Sequence, residues 1–253
     1  MKLVLGITAP LSVLLLEGQA YYFKKKGYSV YLLAPDTNDV REFCHREGAH
    51  LLPVNIKRNI SPLHDLYSLL LILKHLAKIK PDIVNVGTPK MGLLGVLAAY
   101  FVKIDKIIYT CRGYRFEHEI GIKRKILLYT EKISSRLAHE IICISPSVKE
   151  FGIRNSIFND KKSYVLGYGS SNGINLKRFN REAIDLQKID TIRNKLNISN
   201  KFVFGFVGRI VDRKGINELY ESFDKLNKSY PSTHLVIVGA INKDQVKDKT
   251  ILS

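Results

Sequence analysis

Short apolar runs rich in β-forming residues alternate with amphipathic stretches along most of the chain. Residues 2–8 read as a strand, 9–12 as a loop and 14–26 as a helix ended by Gly27. Residues 28–34 make a second strand, stopped by Pro35-Asp36. Connections this short predict parallel strands joined by a right-handed crossover. Residues 39–47 suit a short helix ended by Gly48, and 49–54 a third strand. Ser61-Pro62 opens a long helix, with Ser61 at the N-cap, proline at the first helical position and Asp65 in the first turn. Its Leu63, Leu66, Leu70, Leu73 and Ala77 fall on one face, the stripe of an amphipathic helix. Further strands are expected at 83–86, 106–110, 140–145 and 164–166, with helices at 92–102 and 126–138 and a short one from Ser147 to Phe151.

This alternation predicts the α/β class, with a doubly wound parallel-sheet N-terminal domain over residues 1–178. Residues 172–189 are polar and aperiodic, and a linker is placed at 179–200. A second α/β pattern occupies 201–253: a strand at 202–207, a helix to about Ser229, a strand at 234–239 and a polar tail with Lys243, Lys247 and Lys249. Two strands and one helix cannot cover both faces of a parallel sheet, so the second, Rossmann-like domain is expected to be incomplete and truncated.

Composition changes the picture in one respect. The 253 residues are 45% hydrophobic, ordinary for a globular chain, but the net charge of +17 calls for anionic partners: phosphorylated substrates, an anionic membrane face or nucleic acid. Nucleic acid ranks last, because no aromatic platform, recognition-helix motif or zinc spacing accompanies the charge. Cys44, Cys111 and Cys143 are widely spaced and odd in number, which fits buried thiols in a reducing compartment. The apolar N-terminus resembles a signal peptide ending near Ala20, but Pro10 and Ser12 interrupt it and residues 2–8 are needed as the first strand, so a cytoplasmic location is expected. No apolar run reaches the roughly 18 residues needed to span a bilayer.

The strongest candidate chemistry lies in Phe204-Gly-Phe-Val-Gly-Arg-Ile-Val-Asp-Arg-Lys-Gly215. A strand ends at Gly208 and a helix opens after Gly215, with Arg209, Arg213 and Lys214 between them. Free helix N-terminal amides beside cations suit a phosphate or diphosphate. A βα unit with a merely solvated basic loop stays open on this local pattern alone.

Five segments, in order, resemble the N-terminal two-thirds of a family 4 glycosyltransferase, a retaining enzyme of GT-B fold that uses a nucleotide-sugar donor. They are Thr8-Ala-Pro with Glu17-Gly18-Gln19; Asn59-Ile-Ser-Pro-Leu-His-Asp65 with Pro81-Asp-Ile-Val-Asn-Val-Gly-Thr-Pro-Lys-Met-Gly-Leu-Leu-Gly95; Tyr109-Thr-Cys-Arg-Gly113; Gly167-Tyr-Gly-Ser-Ser-Asn-Gly-Ile-Asn175 with Arg178-Phe179; and the segment ending at Gly215. The branch resembled assembles capsule, O-antigen and other lipid-linked glycans at the inner face of the cytoplasmic membrane. The resemblance implies a UDP-sugar donor, a polyprenyl-diphosphate-linked acceptor, and neither cofactor nor metal, in keeping with the lack of an Asp-x-Asp pattern. It implies that Arg209 and Lys214, with Gly208 beside them, hold the donor diphosphate and stabilise it as it leaves. It implies that Gly18 is the loop glycine whose backbone approaches that diphosphate.

Two departures accompany the resemblance. Arg112 stands where many members carry a catalytic histidine, so a phosphate- or acceptor-binding role is expected of it; His118 lies nearby in a loop. The family's Glu-x7-Glu motif has no counterpart here, Glu218 and Glu221 lying on the preceding helix, so feeble activity of this chain alone is expected. On the acceptor side, Thr88 and Lys90 open the βα turn after the fourth strand and Asn172 sits in the turn Ser170–Gly173, against plain-turn readings of both. The clusters Lys24-Lys25-Lys26, Lys57-Arg58 and Lys123-Arg124-Lys125, the last beside Leu127, Leu128, Tyr129 and Ile133, suit an anionic membrane surface. The alternatives to a transferase are a non-catalytic remnant or binding subunit, and a nucleotide-sugar epimerase of the same fold.

Overall fold

The computed structural model describes residues 1–57 and 59–241; Arg58 of the Lys57-Arg58 pair and the polar tail with Lys243, Lys247 and Lys249 lie outside the described residues. The chain divides into two compact units, Met1–Ile174 and Asn175–Ser253.

In the first unit strands β1 (Lys2–Gly6), β2 (Ser29–Ala34), β3 (His50–Pro53), β4 (Ile83–Val86), β5 (Lys106–Cys111), β6 (Glu140–Cys143) and β7 (Ser163–Val165) form one sheet in the order β3-β2-β1-β4-β5-β6-β7. Every neighbouring pair runs parallel. Helices α1 (Gln19–Lys25), α2 (Asn38–Glu47), α3 (Pro62–Ile79), α4 (Pro89–Phe101), α5 (Gly121–Leu137) and α6 (Pro146–Arg154) make the crossovers. Two apolar clusters flank the sheet. On one face Val4, Leu33, Val84 and Val86 pack against Ile72 and Leu76 of α3 and Met91 and Leu94 of α4. On the other Leu3, Leu5 and Leu32 pack against Ala20 of α1 and Val40 and Phe43 of α2. The central strands are apolar on both faces because helices cover both, and each such buried side chain contributes about 2 kcal/mol.

The order of strands reverses between β1 and β4. At such a switch point the two outgoing connections diverge and leave a crevice beyond the carboxyl ends of the strands.

The second unit contains α7 (Leu186–Lys195), β8 (Phe202–Val207), α8 (Ile216–Ser229) and β9 (Thr233–Val238), with β8 and β9 parallel from Phe202↔Thr233 to Val207↔Val238. Its core is small: Ile210 and Ile216, with Phe206, Leu219 and Ile237 against them. Phe202, Val207 and Val238 are exposed.

Three expectations are corrected. The helix expected over 14–26 is α-helical only from Gln19; a 3-10 turn, Pro10–Leu15, precedes it, and Gly18 between them has φ of 78°, a left-handed conformation that no α-helix contains. On α3 the stripe Leu63, Leu66, Leu70 and Ala77 faces solvent, whereas Ser68, Ile72 and Leu76 are buried. Leucine lines both sides of this helix, so periodicity could not choose between them. Ser68 tolerates burial because its hydroxyl donates to the carbonyls of Asn55 and His64. Third, the segment read as a linker carries α7, whose N-terminus is capped by Asp185 accepting from the amides of Gln187 and Lys188. Ser61 does occupy the N-cap of α3, but its side chain makes no cap bond; the Asp65 carboxylate accepts from its amide instead.

Candidate functional site

In the first unit the crevice at the switch point is built by residues far apart in sequence. Thr8 follows β1 and Thr88 follows β4; their hydroxyls lie 2.7 Å apart, and the Thr8 amide donates to Thr88 Oγ1 at 3.0 Å. Thr8 Oγ1 also accepts from the Met91 amide at 3.1 Å, capping α4 from another strand. Thr88, a predicted acceptor-side residue, is buried and used in this bond.

Arg112 leaves the end of β5 and lies across Gly87. Its Nη1 donates to the Gly87 carbonyl and its Nε to Ser171 Oγ, both at 3.2 Å. A Cβ at position 87 would stand 2.2 Å from Arg112 Nη1 and 2.5 Å from the Thr110 carbonyl oxygen, so only glycine fits between the guanidinium and the backbone of β5. Among the described residues no carboxylate pairs with Arg112. Burial lowers its pKa, against the opposing influence of Tyr109 and Cys111. A half-buried guanidinium without a counter-ion is a ready partner for an anion.

Ser171 leads directly to Asn172. The Asn172 side-chain amide donates to the carbonyls of Leu14 (3.2 Å) and Glu17 (2.9 Å), and its Oδ1 accepts from Gln19 Nε2 at 2.9 Å. Asn172 thus fastens the loop that holds Gly18. Gly18 needs glycine for its φ and not for want of space, since a Cβ there would meet nothing within 4 Å. Its amide donates to Glu47 Oε1, and Tyr21's amide donates to Glu47 Oε2, both at 3.1 Å. Glu47 is buried and went unnoticed in the sequence. The clue was there: it continues the buried stripe Val40, Phe43, Cys44 of α2, where a carboxylate needs a specific partner.

Gly18, Thr88, Arg112 and Asn172 therefore share one connected set of contacts. Lys90 and His118 do not join it. The Lys90 ammonium is 2.5 Å from Asp65 Oδ1 and from the Asn59 carbonyl, at the start of α3. His118 is exposed at the end of a 3-10 turn, Arg115–His118.

In the second unit, β8 ends at Val207 and the chain continues through Gly208, Arg209 and a 3-10 turn, Asp212–Lys214, into α8. The Gly208 amide donates to the Val238 carbonyl at 2.9 Å, which holds this turn to the end of β9. Gly215, with φ of 71°, lets the turn pass directly into the helix, whose N-terminus has no side-chain cap. Arg209 and Lys214 are exposed and form no ion pair among the described residues. Two unneutralised cations on the approach to an uncapped helix N-terminus suit an anion.

All three cysteines are buried free thiols. Among the described residues no group of three His, Cys, Asp or Glu side chains is placed to hold a metal ion, and no helix is long and apolar enough to cross a membrane.

Comparison with known proteins agrees with this division. The sequence model of Glycosyltransferase Family 4 matches residues 17–178, and that of Glycosyl transferases group 1 matches residues 188–252. The chain is 37% identical over 244 residues to the capsular polysaccharide biosynthesis glycosyltransferase CapM of Staphylococcus aureus, covering 96% of this chain and 62% of CapM. It is 28% identical over 221 residues to the Escherichia coli UDP-Gal:alpha-D-GlcNAc-diphosphoundecaprenol alpha-1,3-galactosyltransferase, covering 84% of this chain and 54% of that enzyme. It thus spans little more than half the length of these relatives. Anabaena HepE, solved in complex with UDP, has a similar fold, with a TM-score of 0.70 at 14% identity over 96% of this chain and 62% of that one. The α/β architecture is of the GT-B kind, and the family match, residues 17–178, covers well over half of the chain and includes Gly18, Thr88, Arg112 and Asn172: the chain belongs to Glycosyltransferase Family 4.

Proposed function

We propose that the protein is a glycosyltransferase that moves a sugar from a UDP-sugar to a polyprenyl-diphosphate-linked glycan at the inner face of the cytoplasmic membrane. The observation that carries this reading is the pair Arg209 and Lys214, exposed and unneutralised on the turn into α8, within the segment matched by Glycosyl transferases group 1. In the reaction the bond between the anomeric carbon and the donor phosphate breaks. The acceptor hydroxyl oxygen bonds to that carbon, its proton passes to the donor phosphate, and UDP leaves. Negative charge grows on the diphosphate, so cations and helix amides fixed beside it lower the barrier. Arg209 and Lys214 take that role, with Gly208 keeping the turn close to the sheet. Within the first unit, Arg112, which no carboxylate pairs among the described residues, receives a phosphate or an acceptor oxygen. No resident metal or cofactor has a part.

Membrane docking belongs to the same reading. Ile122, Ile126, Tyr129 and Ile133 are exposed along α5, beside Lys123, Arg124 and Lys125. An apolar face flanked by cations suits an anionic bilayer surface.

The test measures UDP release from UDP-sugars with and without a polyprenyl-diphosphate-linked acceptor. Acceptor-dependent release supports the transferase. Interconversion of free UDP-sugar without acceptor would replace it by an epimerase, and neither binding nor turnover of UDP-sugar would replace it by a binding subunit.

A further inference from the structure

Between the N-terminal ends of α3, α4 and α5 lies a groove of about 380 Å³, within the range of small-ligand clefts. Its walls are apolar: Ile60, Pro89, Leu93, Leu94, Ile126 and Leu127. Of the charged groups, Lys90, Asp65 and Glu131 have partners in place, and Asn59 and Thr130 add uncharged polar lining. Lys90 is bound to Asp65 at 2.5 Å. Glu131, at the inner end, accepts from the Tyr109 hydroxyl at 2.6 Å and is buried. Burial pushes its carboxyl up to about 7, the Tyr109 hydrogen bond opposing, so that it is largely uncharged in mildly acidic solution. The inside of the groove therefore suits an uncharged chain. Its mouth does not: Arg115 and Lys123 line it, and Arg124 and Lys125 follow on the first turn of α5. Glu119 pairs with Lys123 at 2.8 Å, which leaves cations in excess along this turn. Ile120, 90% exposed, and Ile122, 77% exposed, immediately precede Lys123 in the chain, so apolar side chains stand in water beside these cations. Contiguous apolar side chains left in water beside a basic rim mark a place where something apolar with an anionic head docks.

We infer that this groove holds the first isoprenoid units of a polyprenyl-diphosphate carrier, with the diphosphate on the basic first turn of α5 and the remaining chain running over Ile120 and Ile122 toward the bilayer. The inference rests on the lipid-linked acceptor proposed above and assigns the part of the protein that recognises its lipid. Charge complementarity selects this occupant: a peptide or a second copy of the chain would need carboxylates to meet the basic mouth, and this chain is itself strongly basic.

The chain contains no tryptophan, so an Ile126→Trp variant gives a single reporter in the groove wall. Farnesyl diphosphate below its critical micelle concentration serves as the probe, with inorganic pyrophosphate and farnesol as the headgroup-only and chain-only arms. Saturable blue-shifted emission with farnesyl diphosphate, at least tenfold weaker binding of either partial probe, and a similar loss on adding Ile60→Glu or Lys123→Glu are expected. Ile60 is 52% exposed, so its substitution leaves the core intact. Equal binding of pyrophosphate, an unchanged affinity in the Ile60→Glu background, or a reporter shifted by self-association alone would overturn the assignment. The assay uses no donor, so its result and that of the transferase test are independent. Saturable binding without sugar transfer sinks the transferase and spares the groove; transfer to a lipid-linked acceptor undiminished by Ile60→Glu does the reverse.

Discussion

Glu47 and Gly18 are 29 residues apart, yet the Glu47 carboxylate accepts from the Gly18 amide at 3.1 Å while its other oxygen accepts from Tyr21. One buried side chain from α2 thereby satisfies two donors at the start of α1 and fixes the glycine loop beside the crevice. Replacing Glu47 by Ala leaves both amides without an acceptor and costs about 2 kcal/mol of stability. Glu47→Gln, which keeps one good acceptor, loses roughly half of that. Urea denaturation midpoints measure both; equal stability of all three proteins would show that water replaces the carboxylate.

Thr8→Val removes a hydroxyl that both bonds Thr88 and caps α4 through Met91. The shape is retained, so the cost of about 1–2 kcal/mol is that of lost hydrogen bonds alone. Thermal unfolding at a single pH reads it, and Thr88→Val adds less than its separate effect because the two residues share one bond.

Arg112 keeps its place because Gly87 has no side chain. Arg112→Ala should therefore impair transfer on the order of 100-fold in kcat/KM if the guanidinium meets charge in the transition state, and Gly87→Ala at least as much, since its Cβ also meets the Thr110 carbonyl oxygen. Steady-state kinetics on both variants checks this. Full activity of Gly87→Ala with a displaced Arg112 would remove the arginine from the chemistry.

Arg209→Ala and Lys214→Ala each lower kcat by about 100- to 1000-fold if these side chains stabilise the departing diphosphate. Both are exposed, so folding stability stays close to the parent. Unchanged kcat in both variants would assign the turn no part in the reaction.

Glu131 makes stability depend on pH. Burial raises its carboxyl from 4.5 to about 7 in the folded protein. The folded state then holds a proton that the unfolded chain releases earlier, so the contribution is complete below about pH 4.5 and declines as pH rises to about 7. The loss is on the order of 3 kcal/mol from a shift of this size. Glu131→Gln, neutral throughout, should lack this decline; parallel curves for the two proteins between pH 4.5 and 8 would exclude the carboxyl as its source.

Much of the fold was legible in sequence order. Each strand of the first unit was found within a few residues, because short apolar runs bounded by Gly, Pro and Asp leave little choice for a sheet covered on both faces. The stripe on α3 was not, since leucines line two sides of that helix and only packing decides which one is buried. α7 was missed because its residues are mostly exposed and its charges hide the period. Of the candidate site, Arg112, Thr88, Gly18 and Asn172 were named separately from motifs; nothing in their spacing says that Ser171 and Gln19 join them.

The residues in order determined the α/β alternation, the cationic turn before α8 and the excess of positive charge, because these follow from local composition and period. The folded chain alone decided that Lys90 is tied to Asp65, that Glu47 holds the glycine loop, and that Ile60 and Ile126 come to line the same groove. Each joins residues at least 25 positions apart, and contacts at that range depend on which strands become neighbours and on the face each helix turns inward, information that no local pattern contains.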